Sequence, residues 1–193
     1  MRTHVTARQP ALALPHGGWA RPWTPADAAA LVLWYRDELV RNYASVIIDD
    51  PFQAAEAIND WCRDWAAGTG AAWAITAHGD SVVGTVRFAL TDAELGRAAV
   101  GYWLTAEGRG RGLAAAALDA ASRTVLDRLG WHRIELTHAV ENKRSCTVAR
   151  RCGYVQEGVL RQAMRYPVDG RWSDEHVHSR LSTDLVNGDG SDE

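Results

Sequence analysis

Residues 107 to 118, EGRGRGLAAAAL, place three glycines and two arginines in five positions and then run unbroken into alanine and leucine. Glycine costs conformational entropy wherever it is ordered, so a backbone that uses three of them needs a turn or a close approach no other residue permits. Before them stands RAAVGYWLT, a strand-like run. After them LAAAALDAASRTVLDRLG has helical character up to Gly130, a plausible stop after the last turn. A strand that enters a helix through a glycine turn makes an anion site, because the first N–H groups of the helix lack partners and its dipole favours negative charge. The plain alternative is a glycine turn with two solvated arginines.

The rest of the chain sorts around that junction. WARPWT reads as a short strand, and TPADAAALVLWYRDEL follows as a helix with Thr24 able to cap, Pro25 at the first position and Asp27 in the first turn. DDPFQAAEAINDWCRDWAAG repeats the device with Asp50 and Pro51, which predicts two helices after the first strand. AAWAITAHGDSVVGTVRFAL then gives two strand-like runs joined around His78-Gly79-Asp80, a hairpin signal. With RAAVGYWLT these make three consecutive strands and no intervening helix, hence antiparallel neighbours. Beyond the glycine-led helix come a strand (HRIELTHAV), a helix (NKRSCTVARRCG) and an extended segment turning at Asp169-Gly170. The reading is one α/β domain over residues 18–185 with a mixed sheet. A loose arm is expected over 1–17, where Pro and Gly occur without sustained period, and a disordered acidic tail over 186–193.

Composition excludes several classes. With 193 residues, 47% hydrophobic, the chain can bury one sizeable core. A net charge of −3 argues against bulk nucleic-acid binding, which needs a broad basic surface. No run approaches the roughly 20 apolar residues that span a bilayer, and the N-terminal ALALP is too short for a signal-peptide core, so a soluble protein is expected. Cys62, Cys146 and Cys152 show no metal-ligand spacing, and an odd count suits a reducing, cytoplasmic compartment; no metal is expected. The nine tryptophans read first as core anchors, some of them lining an acceptor pocket.

The loop itself separates phosphate ligands. No Lys-Ser or Lys-Thr follows the glycines, which excludes a P-loop. Gly110, Gly112 and Ala115 fit the dinucleotide pattern G-x-G-x-x-A, but that pattern belongs to the first strand of a parallel sheet, and here antiparallel strands precede it. A third fit is closer. RGRGLA, with Arg109, Gly112 and Ala114 in place, is similar to the Q/R-x-x-G-x-G/A signature of the GNAT N-acetyltransferase family. ENKRSCTVARRCGYVQEGVLR, through Asn142, Ser145, Gly153, Tyr154, Glu157, Gly158 and Arg161, resembles the N-x-x-S...G-[FY]-x-x-E-G pattern of its ribosomal-protein N-terminal acetyltransferase branch. With RPWTPADA and GYWL in family order, the likeness covers residues 19 to 183.

The resemblance implies the GNAT fold, a mostly antiparallel sheet splayed between two parallel strands and flanked by about four helices. It implies acetyl-CoA as cosubstrate and acetyl transfer by direct attack to a primary amine, either a protein or peptide N-terminus or a small-molecule amine. Backbone groups of Arg109, Gly110, Arg111, Gly112, Leu113 and Ala114 would hold the pyrophosphate, and those of Trp103 and Leu104 the pantetheine arm and thioester oxygen. Asn142 would bind the cofactor and Ser145 would protonate the leaving thiolate, although Asn at a helix start is also an ordinary N-cap. Lys143, Arg144, Arg150 and Arg151 could hold an outer phosphate or simply be solvated. Cys146 has no evident His/Asp arrangement to activate it as a nucleophile. The acceptor pocket would come from segments 30–67 and 159–182, and a homodimer is compatible with the family.

One requirement goes unmet. Where relatives carry an acidic base, this chain has Ala98, Ala99 and Met164, which cannot take a proton. His138, His176, His178 or a water chain would have to serve. The same gap leaves two alternatives open: an acyl-CoA-binding module that regulates a partner, or an acyltransferase of specialised metabolism with a different donor.

Overall fold

The computed structural model describes residues 8–77 and 79–184. Eight strands form one sheet: β1 (Leu12–Ala13), β2 (Trp19–Pro22), β3 (Gly70–Thr76), β4 (Val82–Asp92), β5 (Arg97–Leu104), β6 (Arg133–Ala139), β7 (Val155–Arg165) and β8 (Trp172–Leu181). Their order is β1-β2-β3-β4-β5-β6-β8-β7. Every neighbouring pair is antiparallel except β5 and β6. Five helices flank it: α1 (Ala28–Trp34), α2 (Glu38–Tyr43), α3 (Pro51–Ala67), α4 (Leu113–Leu129) and α5 (Lys143–Arg151).

Between β5 and β6 the chain crosses over through α4, the kind of connection that parallel neighbouring strands need. They pair only from Arg97↔Arg133 to Val100↔Leu136. Beyond Val100 the second half of β5 stays bonded to β4 alone, up to Gly84↔Leu104. The sheet therefore splits at the end of β5.

Strand alternation divides the core between the two sheet faces. Trp73, Ile75, Val86, Phe88, Val100, Ile134 and Leu136 pack with α4 and with Ala149 of α5. Ala72 and Ala74, one residue out of step, pack with Trp23, Trp34, Trp61 and the apolar faces of α1–α3. Trp23 meets Trp34 and Trp61 with ring centroids 5.2 and 5.3 Å apart, so these three tryptophans serve as core anchors.

Two expectations change. The helix expected over TPADAAALVLWYRDEL breaks after Trp34, which gives three α-helices before β3 and five among the described residues. Asp37 is extended (ψ 122°), and its carboxylate accepts the N–H groups of Leu39 and Val40, so it ends one helix by capping the next. The arm expected over 1–17 is anchored over its described part: Gln9 donates to the Ala72 carbonyl, the Trp73 indole donates to the Pro10 carbonyl at 2.8 Å, and β1 pairs with β2. Residues 1–7, His78 of the β3–β4 hairpin and the acidic tail lie outside the described residues.

Candidate active site

A cleft of about 700 Å³ opens where β5 leaves β6. Trp103 and Leu104 line it from β5, Arg109, Gly110 and Gly112 from the loop, Leu113 and Ala114 from α4, and Asn142 and Ser145 from α5. All the residues assigned to a site from the sequence therefore converge except Arg111, which is exposed and outside the lining. The helix α2 closes the top with Leu39, Val40 and Tyr43.

The loop conformation explains its glycines. Gly110 and Gly112 have φ of +79° and +72°, the left-handed region that strains any L side chain. Gly112 takes the N-cap position of α4, and no side chain caps that helix. Its first N–H groups are left for a ligand, and the positive end of a 17-residue helix faces the cleft.

The arginines divide their work differently from what the sequence suggests. Arg109 Nη2 donates to Asp37 Oδ1 at 2.7 Å, and Asp37 Oδ2 accepts the Ala106 N–H, so the Arg109 side chain ties the loop to α2. Burial opposes ionisation of Asp37, yet Arg109 and the α2 N–H groups hold its carboxyl below the ordinary range. Of the basic residues on α5, Arg144 and Arg151 line the cleft, whereas Arg150 donates to Gln156 and Lys143 lines a separate surface hollow. Arg144 and Arg151 are therefore the α5 side chains that bring positive charge to the cleft.

At the start of α5 the Asn142 carboxamide oxygen accepts the Ser145 N–H at 3.2 Å, so Asn142 is an N-cap as well as a cleft residue. The Ser145 carbonyl accepts from the Tyr102 hydroxyl at 3.4 Å. Burial pushes Tyr102 up to about 12, which keeps it a neutral donor at the cleft wall.

The histidines considered as bases lie with α5. His138 and His176 are opposite one another in register and His178 is opposite Leu136, so all three share the sheet face that carries Leu136 and α5. His138 and His178 are buried, and burial lowers both pKa values. Cys146 of α5 joins them, and the four donor atoms lie within 4.8 Å of one another. Sequence spacing concealed this group because its members come from two strands and a helix; the H-x-H at 176–178 was its one local trace.

The opposite face holds a carboxylate that sequence reasoning missed. Glu175 alternates with His176, sits opposite Ala139 and is only 3% exposed. Burial raises its pKa, and the Tyr166 hydroxyl donates to Oε1 at 3.1 Å. Trp103 belongs to the same side, packed with the α1–α3 cluster. Tyr43 of α2 meets Tyr166 edge-on at 5.9 Å, which links the second helix to the β7–β8 hairpin over this face. The period-2 pattern of WSDEHVHSR was the available signal.

Residues 19–155 match the family model described as an acetyltransferase (GNAT) domain. The chain belongs to the GNAT acetyltransferase family. It is 29% identical over 164 residues to the N-acetyltransferase p20 of Bacillus licheniformis, itself uncharacterized, covering 83% of this chain and 90% of that one. It is 34% identical over 84 residues to the [ribosomal protein uS5]-alanine N-acetyltransferase of Escherichia coli, 44% of this chain and 42% of the relative. Shorter curated matches of this kind span between 42% and 60% of the relative's length. Among solved structures, Mycobacterium smegmatis RimJ in complex with CoA-disulfide superposes with a TM-score of 0.77 at 24% identity, over 89% of this chain and 86% of that one, a likeness of fold. Among the described residues no helix is long and apolar enough to cross a membrane.

Proposed function

We propose that the chain is an acetyl-CoA-dependent N-acetyltransferase that acylates a primary amine by direct attack, with a protein or peptide N-terminus as the acceptor. One observation carries this reading: the uncapped start of α4, the capped start of α5 and the unpaired end of β5 converge on a single cleft. The relative named for a ribosomal-protein alanine supports the choice of acceptor.

When bound, coenzyme A supplies an acyl group activated as a thioester. The left-handed glycines let a pyrophosphate approach the N–H groups of residues 110 to 114, and Arg144 and Arg151 meet further negative charge. The β5 backbone at Trp103 and Leu104, freed from β6, is the polar edge available to an extended pantetheine amide chain. Ser145 holds the proton that the departing thiolate takes, and Asn142 fixes the backbone that presents it.

Attack needs an amine without its extra proton. Glu175 is the carboxylate proposed in place of the missing acidic residues: it is buried on the Trp103 face, and burial raises its pKa. Its presence favours the enzyme over a cofactor-binding module without catalysis.

A thiol-release assay over a panel of N-terminal peptides and small amines tests the proposal. Gly112→Glu should weaken coenzyme A binding, and Ser145→Ala should lower kcat with little change in acceptor KM, on the order of 10²-fold for loss of a positioned proton donor. Turnover unaffected by Gly112→Glu overturns the assigned cofactor site; tight acyl-CoA binding with no release across the panel favours the binding module.

A further inference from the structure

The cluster behind α5 has the donor set of a metal centre. His138 Nδ1 lies 2.8 Å from the Ala139 carbonyl; donating there leaves Nε2 as a lone pair, and Nε2 points at His178 Nε2, 3.2 Å away. Ring nitrogens that close need either a proton or a cation between them. The His138 and His178 rings stack with centroids 5.2 Å apart, and His176 stands edge-on to His138 at 5.3 Å. Nδ1 of His176 is buried without a hydrogen-bond partner among the described residues, whereas His178 has a hydrogen bond with the Tyr154 backbone. The open Nδ1 of His176 and the lone pair of His138 Nε2 are acceptors within the cluster that a cation could satisfy.

We infer that His138, His176, His178 and Cys146 form a buried, four-ligand site for a first-row divalent cation of the zinc type. The donors suit that class: imidazole and thiolate select zinc and its neighbours, and among the described residues no carboxylate joins the group, as magnesium or calcium would require. Tetrahedral coordination at about 2.0–2.3 Å puts ligand atoms about 3.3–3.6 Å apart. The two Nε2 atoms already stand at that spacing, and the widest pair closes from 4.8 Å by about 1.3 Å. The carbonyl partner of His138 Nδ1 is the outer contact that orients metal-binding imidazoles.

Four protein ligands leave no open position, so the ion is structural. It fastens α5 to β6 and β8 one residue beyond Ser145, and so holds the helix start that carries Asn142 and Ser145 against the sheet. The site stands independently of the acetyl-transfer reading.

The test uses the full chain stripped with chelator and titrated with Co²⁺, then Zn²⁺. One equivalent of Co²⁺ should bind with the intense near-ultraviolet band of thiolate coordination and tetrahedral visible bands, and Zn²⁺ should displace it and raise the unfolding midpoint. Cys146→Ser should remove the thiolate band, and His176→Ala, at a position only partly buried, should weaken Zn²⁺ binding on the order of 100-fold or more while circular dichroism stays native. Folded chain that takes up no stoichiometric Co²⁺ or Zn²⁺ overturns the inference. So does binding that His176→Ala and Cys146→Ser leave unchanged, which would place the ion elsewhere.

Discussion

At the scale of single residues, Glu175 is a buried carboxylate that its neighbours in sequence do not announce. Its carboxyl is buried, its pKa is raised, and between its ordinary value near 4.3 and that raised value the folded state holds the proton more tightly than the unfolded chain. Stability therefore falls as pH rises through this window. Glu175→Gln, which keeps an acceptor for Tyr166, should be at least as stable as the parent at neutral pH yet lose turnover, and any rise of kcat/KM with pH that reports ionisation of this carboxyl should disappear. Thermal melts and a pH-rate profile together check this. Loss of both stability and activity would assign Glu175 to the framework alone. The left-handed turns at Gly110 and Gly112 and the cap from Asn142 to Ser145 were legible at this scale because each is set within a single turn of backbone.

At the scale of elements, the connection between α2 and the glycine loop decides the cleft roof. Asp37 caps a six-residue helix and also holds Arg109 and the Ala106 N–H. Asp37→Ala removes the cap, at about 0.5–2 kcal/mol, and frees Arg109. The expected result is a modest drop in chemical-denaturation stability with a larger rise in the coenzyme A dissociation constant, because α2 lines the cleft. A loss of stability without any change in coenzyme A binding would separate the cap from the cleft. The strands β3 to β5 and the helices α4 and α5 were legible from periodicity and caps, whereas the α1–α2 break was not. An aspartate inside an apolar helical pattern looks like a solvent-facing residue until the loop it caps toward is in place.

At the scale of the molecule, the far edge of the sheet is held by charge as well as by backbone pairing. Glu157 accepts from Arg133 on β6 and from Ser179 Oγ on β8 at 2.6 Å, and these bonds, Arg133 first, lower its pKa to about 2. A carboxylate depressed in this way stabilises the fold above its unfolded pKa near 4.3 and loses that contribution as pH falls toward 2. The stability difference between the parent and Glu157→Gln should thus be full at pH 6 and shrink between about pH 4.3 and 2. Urea unfolding at a series of pH values measures it; a difference that is constant with pH would mean the pair contributes nothing through ionisation. The pair is partly exposed, so added salt should narrow the gap as well.

Local rules in the sequence by themselves determined the strand-loop-helix junction, the antiparallel run before it, the helix start at Asn142 and the family the chain resembles. Each of these rests on periodicity, caps or left-handed glycines within a few residues. Only the tertiary structure decided which groups meet. Alternation along β8 sends Glu175 to the Trp103 face and His176 and His178 to the α5 face, and the β6 register then brings His138 beside them. The physical reason is that a side chain's partners are set by strand order and register, which join residues far apart in the chain. Ala98, Ala99 and Met164 cannot take a proton, and the register of β8 on β6 sets the carboxylate proposed as base, Glu175, opposite Ala139.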